Sequence, residues 1–130
     1  MPKGPRAEGE DWEVWLDEDG VLWSRMTRPQ HAISAAARVA AMQQLIREHG
    51  ARQVLIDNRR YPGAPSPAAI DAYRAFLRAH PGLRVAMVTS EPEAIKVAFE
   101  VRGAAPSRVE IFKSVQAAKA WLRREERPQI

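Results

Sequence analysis

Between Trp12 and Met26 apolar and polar positions alternate, the period of a half-buried strand, and Asp17 to Gly20 interrupts the alternation with turn-forming residues. The pattern predicts a hairpin of residues 12–17 and 21–26 with Asp19 and Gly20 at positive φ. Pairing about that turn sets Leu16 opposite Trp23 and Trp15 opposite Ser24. Each face then receives a Trp, so both faces are expected to be covered. From about His31 to His49 the period changes. Ile33, Ala36, Ala37, Ala40, Leu45 and Ile46 recur at helical spacing, and Gly50 follows where a helix end favours a left-handed residue.

The apolar run Val54-Leu55-Ile56, inside residues 53–58, predicts a buried central strand. A polar, Pro/Gly-rich loop follows. Ser66 before Pro67 is a helix-start signal, because a hydroxyl can cap the first turn and proline lacks an N–H that the first turn does not use. Ile70, Tyr73, Phe76 and Leu77 share one helical face up to His80-Pro81-Gly82. Leu83 to Val88 reads as a second buried strand, and Ser90-Glu91-Pro92-Glu93 as a capping box opening a helix that buries Ile95, Ala98 and Phe99 and ends at Gly103. Val109 to Phe112 is a last short strand. Ser114 caps a final helix that uses Val115, Ala118, Trp121 and Leu122.

This alternation of strand and helix implies right-handed crossovers and parallel pairing. The fold class expected is α/β: a five-stranded mixed sheet, with an N-terminal antiparallel hairpin and then parallel strands, flanked by about four helices. Residues 1–10, rich in Pro, Gly and charge, read as a disordered lead-in, and residues 11–127 as one domain.

Composition narrows the function classes. Cysteine is absent, which excludes disulfides, thiolate catalysis and Cys-based zinc sites. No apolar run approaches membrane-spanning length, and the expected setting is the cytoplasm. The net charge is +4, but the basic residues are scattered, with Arg59-Arg60 and Arg123-Arg124 the adjacent pairs. No basic run is interleaved with aromatics, so nucleic acid is not the expected partner. His31, His49 and His80 stand at predicted helix ends without carboxylates at ligand spacing; no metal or cofactor site follows.

In an open α/β sheet, ligands and partners meet the protein beyond the carboxyl ends of the strands. The candidate binding residues are therefore Asp57, Asn58, Arg59, Arg60 and Ser66 after the central strand and Thr89 and Ser90 after the next. Asp57 can orient a partner or bond loop N–H groups, the arginines can grip an anion or acidic partner, and the hydroxyls can cap helices. No Gly-x-Ser-x-Gly elbow, P-loop or dinucleotide fingerprint is present.

Residues 12–125 resemble the SpoIIAA-like family, the STAS domains and the related small bacterial STAS/SEC14-like proteins. The likeness rests on the opening hairpin, the Ala-rich helix, Gly50-Ala51-Arg52-Gln53-Val54-Leu55-Ile56-Asp57, Gly82 to Val88, and the closing Val109-Glu110-Ile111-Phe112-Lys113-Ser114 strand and cap with its Ala120-Trp121-Leu122 helix. The resemblance implies a non-enzymatic regulatory or protein-interaction module. Anti-sigma antagonists of this family are phosphorylated on a Ser at the start of the helix after the middle strand, within an Asp-Ser-Ser-Gly type sequence. Ser66 stands in the comparable place, between Pro65 and Pro67, and is the candidate phosphoacceptor. Two alternatives from other classes are a small-ligand or lipid carrier of SEC14-like type and a cryptic hydrolase using Asp57 and a loop Ser. The hairpin edge leaves a homodimer open.

Overall fold

A computed structural model describes residues 4–27, 32–59, 67–89, 92–103 and 108–125. Its centre is one open mixed sheet of six strands in sequential order, β1 (Arg6–Glu8), β2 (Trp12–Leu16), β3 (Val21–Met26), β4 (Gln53–Asp57), β5 (Arg84–Val88) and β6 (Val109–Phe112). The first two pairings are antiparallel and the remaining three parallel. Four helices alternate with the later strands: α1 (Ala32–His49), α2 (Pro67–Ala79), α3 (Pro92–Arg102) and α4 (Val115–Glu125).

The parallel strands succeed one another in a single direction, so right-handed crossovers put α1, α2 and α3 on the same face. There Val39 and Met42 of α1, Tyr73, Phe76 and Leu77 of α2, and Ala98 and Val101 of α3 pack on Val14, Leu22, Val54, Ile56 and Val85. The chain then returns, and Ala118 and Leu122 of α4 cover Leu55, Ala86 and Val88 on the opposite face. β4 is buried along its whole length because both layers meet over it. Gln53 satisfies its buried amide by donating to the Leu122 carbonyl, 2.8 Å, which also fixes α4 against the sheet.

Several expectations are corrected. The sheet has six strands rather than five, since residues 6–8, expected in a disordered lead-in, form β1. Ala7 packs against the main core, and Arg6 bonds Glu8 at 2.8 Å and approaches Glu13 at 3.6 Å. A Cβ on Gly9 would come within 2.3 Å of the Trp12 indole, so the turn between β1 and β2 requires glycine.

The hairpin register is Trp15 opposite Trp23 and Leu16 opposite Leu22, one residue away from the expected pairing. Its loop holds three residues, because Asp17 N bonds Val21 O and Gly20 N bonds Asp17 O. Gly20, at φ 82°, takes the left-handed position of such a loop, and no non-glycine residue among those described has positive φ. Asp17 Oδ1 accepts from the N–H groups of Asp19 and Val21, both at 2.9 Å. The Trp15 and Trp23 rings stack at 5.3 Å, with the Arg25 guanidinium over the first and the Lys119 ammonium over the second.

The buried stripe of α1 is Ala35, Arg38, Val39, Met42, Leu45 and Ile46, while Ala36 and Ala40 are exposed. The larger side chains fill the core, and this rotates the helix about one position from the alanine-based reading. In α3, Val101 is buried and Phe99 is 55% exposed, against the expectation that Phe99 lies inside. The Ser114 cap is as expected, its hydroxyl accepting from Ala117 N at 3.1 Å. No helix among the described residues is long and apolar enough to cross a membrane.

Candidate functional site at the carboxyl rim

β4 and β5 lie side by side in parallel register, and the ladder continues past them. Asn58 N donates to Val88 O and Thr89 N to Phe112 O, both at 2.9 Å. Asp57, Asn58, Arg59 and Thr89 therefore share one rim at the carboxyl ends of the strands. Arg60, Ser66 and Ser90 lie outside the described residues.

Side chains alternate across the sheet, so Asp57 and Asn58 serve opposite faces. Asp57 is buried on the α4 side and follows Gln53 and Leu55 there. Its Oδ1 accepts from Arg59 N at 3.2 Å and Arg59 Nε at 2.9 Å, while Oδ2 accepts from Arg59 Nη2 at 2.8 Å. The Arg59 side chain is 49% exposed, so a rigid carboxylate holds a guanidinium that still faces solvent. Hydrogen bonding to Asp57 raises the Arg59 pKa further; burial opposes this and the Asp57 charge adds to it.

On the face covered by α1, α2 and α3 a second arginine organises the rim from behind. Arg38 is fully buried in α1; its Nε donates to Ser24 Oγ at 2.6 Å, and its Nη2 to Ser24 O and Asn58 Oδ1, both at 2.9 Å. Its guanidinium lies 5.7 Å from the Tyr73 ring. Burial lowers the Arg38 pKa, opposed by Tyr73, Asp57 and Asp11; burial raises that of Tyr73, opposed by Arg38 and reinforced by Asp11. One buried side chain thus joins β3, the residue after β4, and the α1–α2 layer. Thr89 is also buried, and its Oγ1 has no hydrogen-bond partner among the described residues.

A cleft of about 250 Å³ opens at this rim, lined by Arg25, Met26, Asp57 and Arg59. Arg25 stands opposite Asp57 in the β3–β4 register. Its Nε donates to Glu13 Oε1 at 2.9 Å and its Nη2 to the same oxygen.

Sequence reasoning placed Asp57, Asn58, Arg59 and Thr89 at this rim and missed Arg25, Arg38 and Ser24. The available signal for Arg38 was positional: it sits three residues after Ala35 and one before Val39, within the stripe that the bulky residues define. His49 and His80 fall at the opposite end, and no group of His, Asp and Glu suited to a metal ion occurs among the described residues. Asp57 is engaged on both oxygens, and the arrangement favours gripping an oxyanion or acidic side chain over proton transfer. No protein-family model matches the chain, and a search of curated proteins finds no match.

Proposed function

We propose that this protein is a non-enzymatic regulatory or protein-interaction module of the SpoIIAA/STAS-like type, acting in the cytoplasm, whose partner surface is the carboxyl rim. The observation that carries this reading is the pre-oriented Arg59: a buried carboxylate fixes it through three hydrogen bonds while half of its side chain faces solvent. Order costs less on binding when a charged side chain is already held in place. The sequential parallel strands, with three helices on one face and the closing helix on the other, support the fold-family part of the reading.

The hydrolase alternative has less support. Asp57 is committed to Arg59, and the described histidines lie at the other end of the sheet. The carrier alternative draws on the buried Thr89 hydroxyl, an unmatched polar group that a small ligand could satisfy. Native mass spectrometry of the purified protein tests that alternative: a bound small molecule would favour it.

The main test is capture of a partner by the tagged full chain, with Arg59→Glu plus Arg60→Glu compared against Arg47→Glu plus Arg52→Glu at the opposite end. The rim reading predicts loss of capture for the first pair and retention for the second. Equal capture by both variants overturns it.

A further inference from the structure

We infer that the cleft between Arg25 and Arg59 is a receptor for one carboxylate, presented by an acidic side chain of the protein partner. This rests on the rim reading above and adds the chemistry of recognition, together with a residue from a strand that reading does not use.

Each arginine is already oriented. Arg59 gives Nε and Nη2 to Asp57, and Arg25 gives Nε and Nη2 to Glu13, with its guanidinium also 5.2 Å from the Trp15 ring centroid. Among the described residues this leaves the Nη1 group of each without a partner. The side chains remain 45% and 49% exposed, and both line the same 250 Å³ cleft. Asp57 itself lines the cleft, but its two oxygens are directed to Arg59.

The charge balance selects the ligand. Arg25 and Arg59 face Glu13 and Asp57, and Arg6, which also approaches Glu13, is offset by Glu8, three cations against three anions, so the site presents N–H groups without a large net positive charge. One carboxylate can accept from both arginines and adds a single negative charge. A dianionic phosphate would place twice that charge beside Asp57 and Glu13, where like charges repel. The side-chain stem and backbone of an acidic residue also suit a cleft whose fourth lining residue is Met26.

The test follows the arginine Nε–Hε resonances of the isotopically labelled full chain. It is titrated with a blocked hexaglutamate peptide and, separately at matched ionic strength, with inorganic phosphate. The expected result is saturable movement of the Arg25 and Arg59 signals together on adding peptide, tighter than with phosphate. Arg25→Gln and Arg59→Gln should each weaken peptide binding about tenfold, the scale of one charge-assisted hydrogen bond. Arg25→Lys, which keeps the charge and loses the fork, should weaken it by a similar factor and guards against a folding defect in the Gln variant. Peptide shifts confined to Arg59, unchanged affinity in both Arg25 variants, or tighter binding of phosphate would overturn the inference. Partner capture that needs Arg59 but not Arg25 would sink this inference alone. Capture independent of Arg59 would sink the rim reading, whatever the titration shows.

Discussion

Asn58 Oδ1 accepts a 2.9 Å hydrogen bond from Arg38 Nη2, which ties the first residue beyond the central strand to the middle of the first helix. The next residue but one before it in the α4-facing series, Leu55, packs in the opposite layer, and Asp57 between them turns to Arg59. Asn58 and Arg59 are therefore held from opposite sides of the sheet. The partner-binding role proposed for this rim rests on that double anchorage.

Removing the inner anchor should be costly. Arg38→Ala would leave the buried Ser24 carbonyl and hydroxyl and the half-buried Asn58 amide oxygen without this donor, and would open a cavity beneath Tyr73. A loss of about 3 kcal/mol is expected, against about 1 kcal/mol for Ser24→Ala. Urea midpoints at constant m-value measure both. If Arg38→Ala costs no more than Ser24→Ala, the buried guanidinium does not organise the rim.

The outer anchor acts on order more than on stability. Asp57→Asn retains the shape of the side chain but weakens the two guanidinium bonds and removes the charge that holds Arg59. The Arg59 Nε–Hε signal, expected to be protected from solvent exchange in the natural protein, should exchange faster in the variant. A signal unchanged by Asp57→Asn would mean that Arg59 takes its position from something else.

β6 closes the sheet as an edge strand, and one ion pair shields it. Arg102 Nε donates to Val109 O at 2.9 Å and lies 3.7 Å from Glu110 Oε1. Unpaired edge groups recruit other strands, and a charged side chain laid over them prevents this. Arg102→Ala should therefore increase self-association, read as a concentration-dependent rise in sedimentation coefficient. A monodisperse variant at all concentrations would show that the edge needs no such cover.

His80 gives a pH signature. Burial first, and the nearby Arg47 second, hold its pKa below the ordinary imidazole value near 6.5. The unfolded chain then binds the proton more readily than the folded one, so stability is complete above that value and falls as pH drops through 6.5 toward the lower folded pKa. The urea midpoint should decrease between pH 7.5 and 5.5, and His80→Gln should flatten that decrease. A steeper or unaltered slope in the variant would contradict the assignment.

The parts of the fold legible from residues alone are those in which chemistry and pattern coincide. The apolar run of β4, the Pro67 start of α2 and the Ser114 cap of α4 each have a local cause, and the elements lie where those causes put them. The misreadings have tertiary causes. β1 forms because Ala7 finds the core and Arg6 approaches Glu13 on β2, neither of which is visible in residues 6–8. The hairpin slips by one because the Asp17 carboxylate bonds two N–H groups inside the turn and enlarges the loop to three residues.

At the site, the same distinction holds. Asp57, Asn58, Arg59 and Thr89 were legible because strand ends mark the rim. Arg38 was hidden because a cation in a core stripe makes sense only once Ser24 and Asn58 are seen to receive it. Arg25 was hidden because its neighbour across the sheet, Asp57, lies 32 positions along the chain.

The most direct test of the rim as the working surface is site-specific photocrosslinking in cells. A benzophenone side chain is placed at Lys113, which follows β6 at the rim, or at Arg52, which precedes β4 at the other end of the sheet. A discrete crosslinked partner is expected from position 113, lost when Arg59→Glu is added, and none from position 52. A crosslink from position 52 alone, or one from 113 indifferent to Arg59→Glu, would contradict the rim reading.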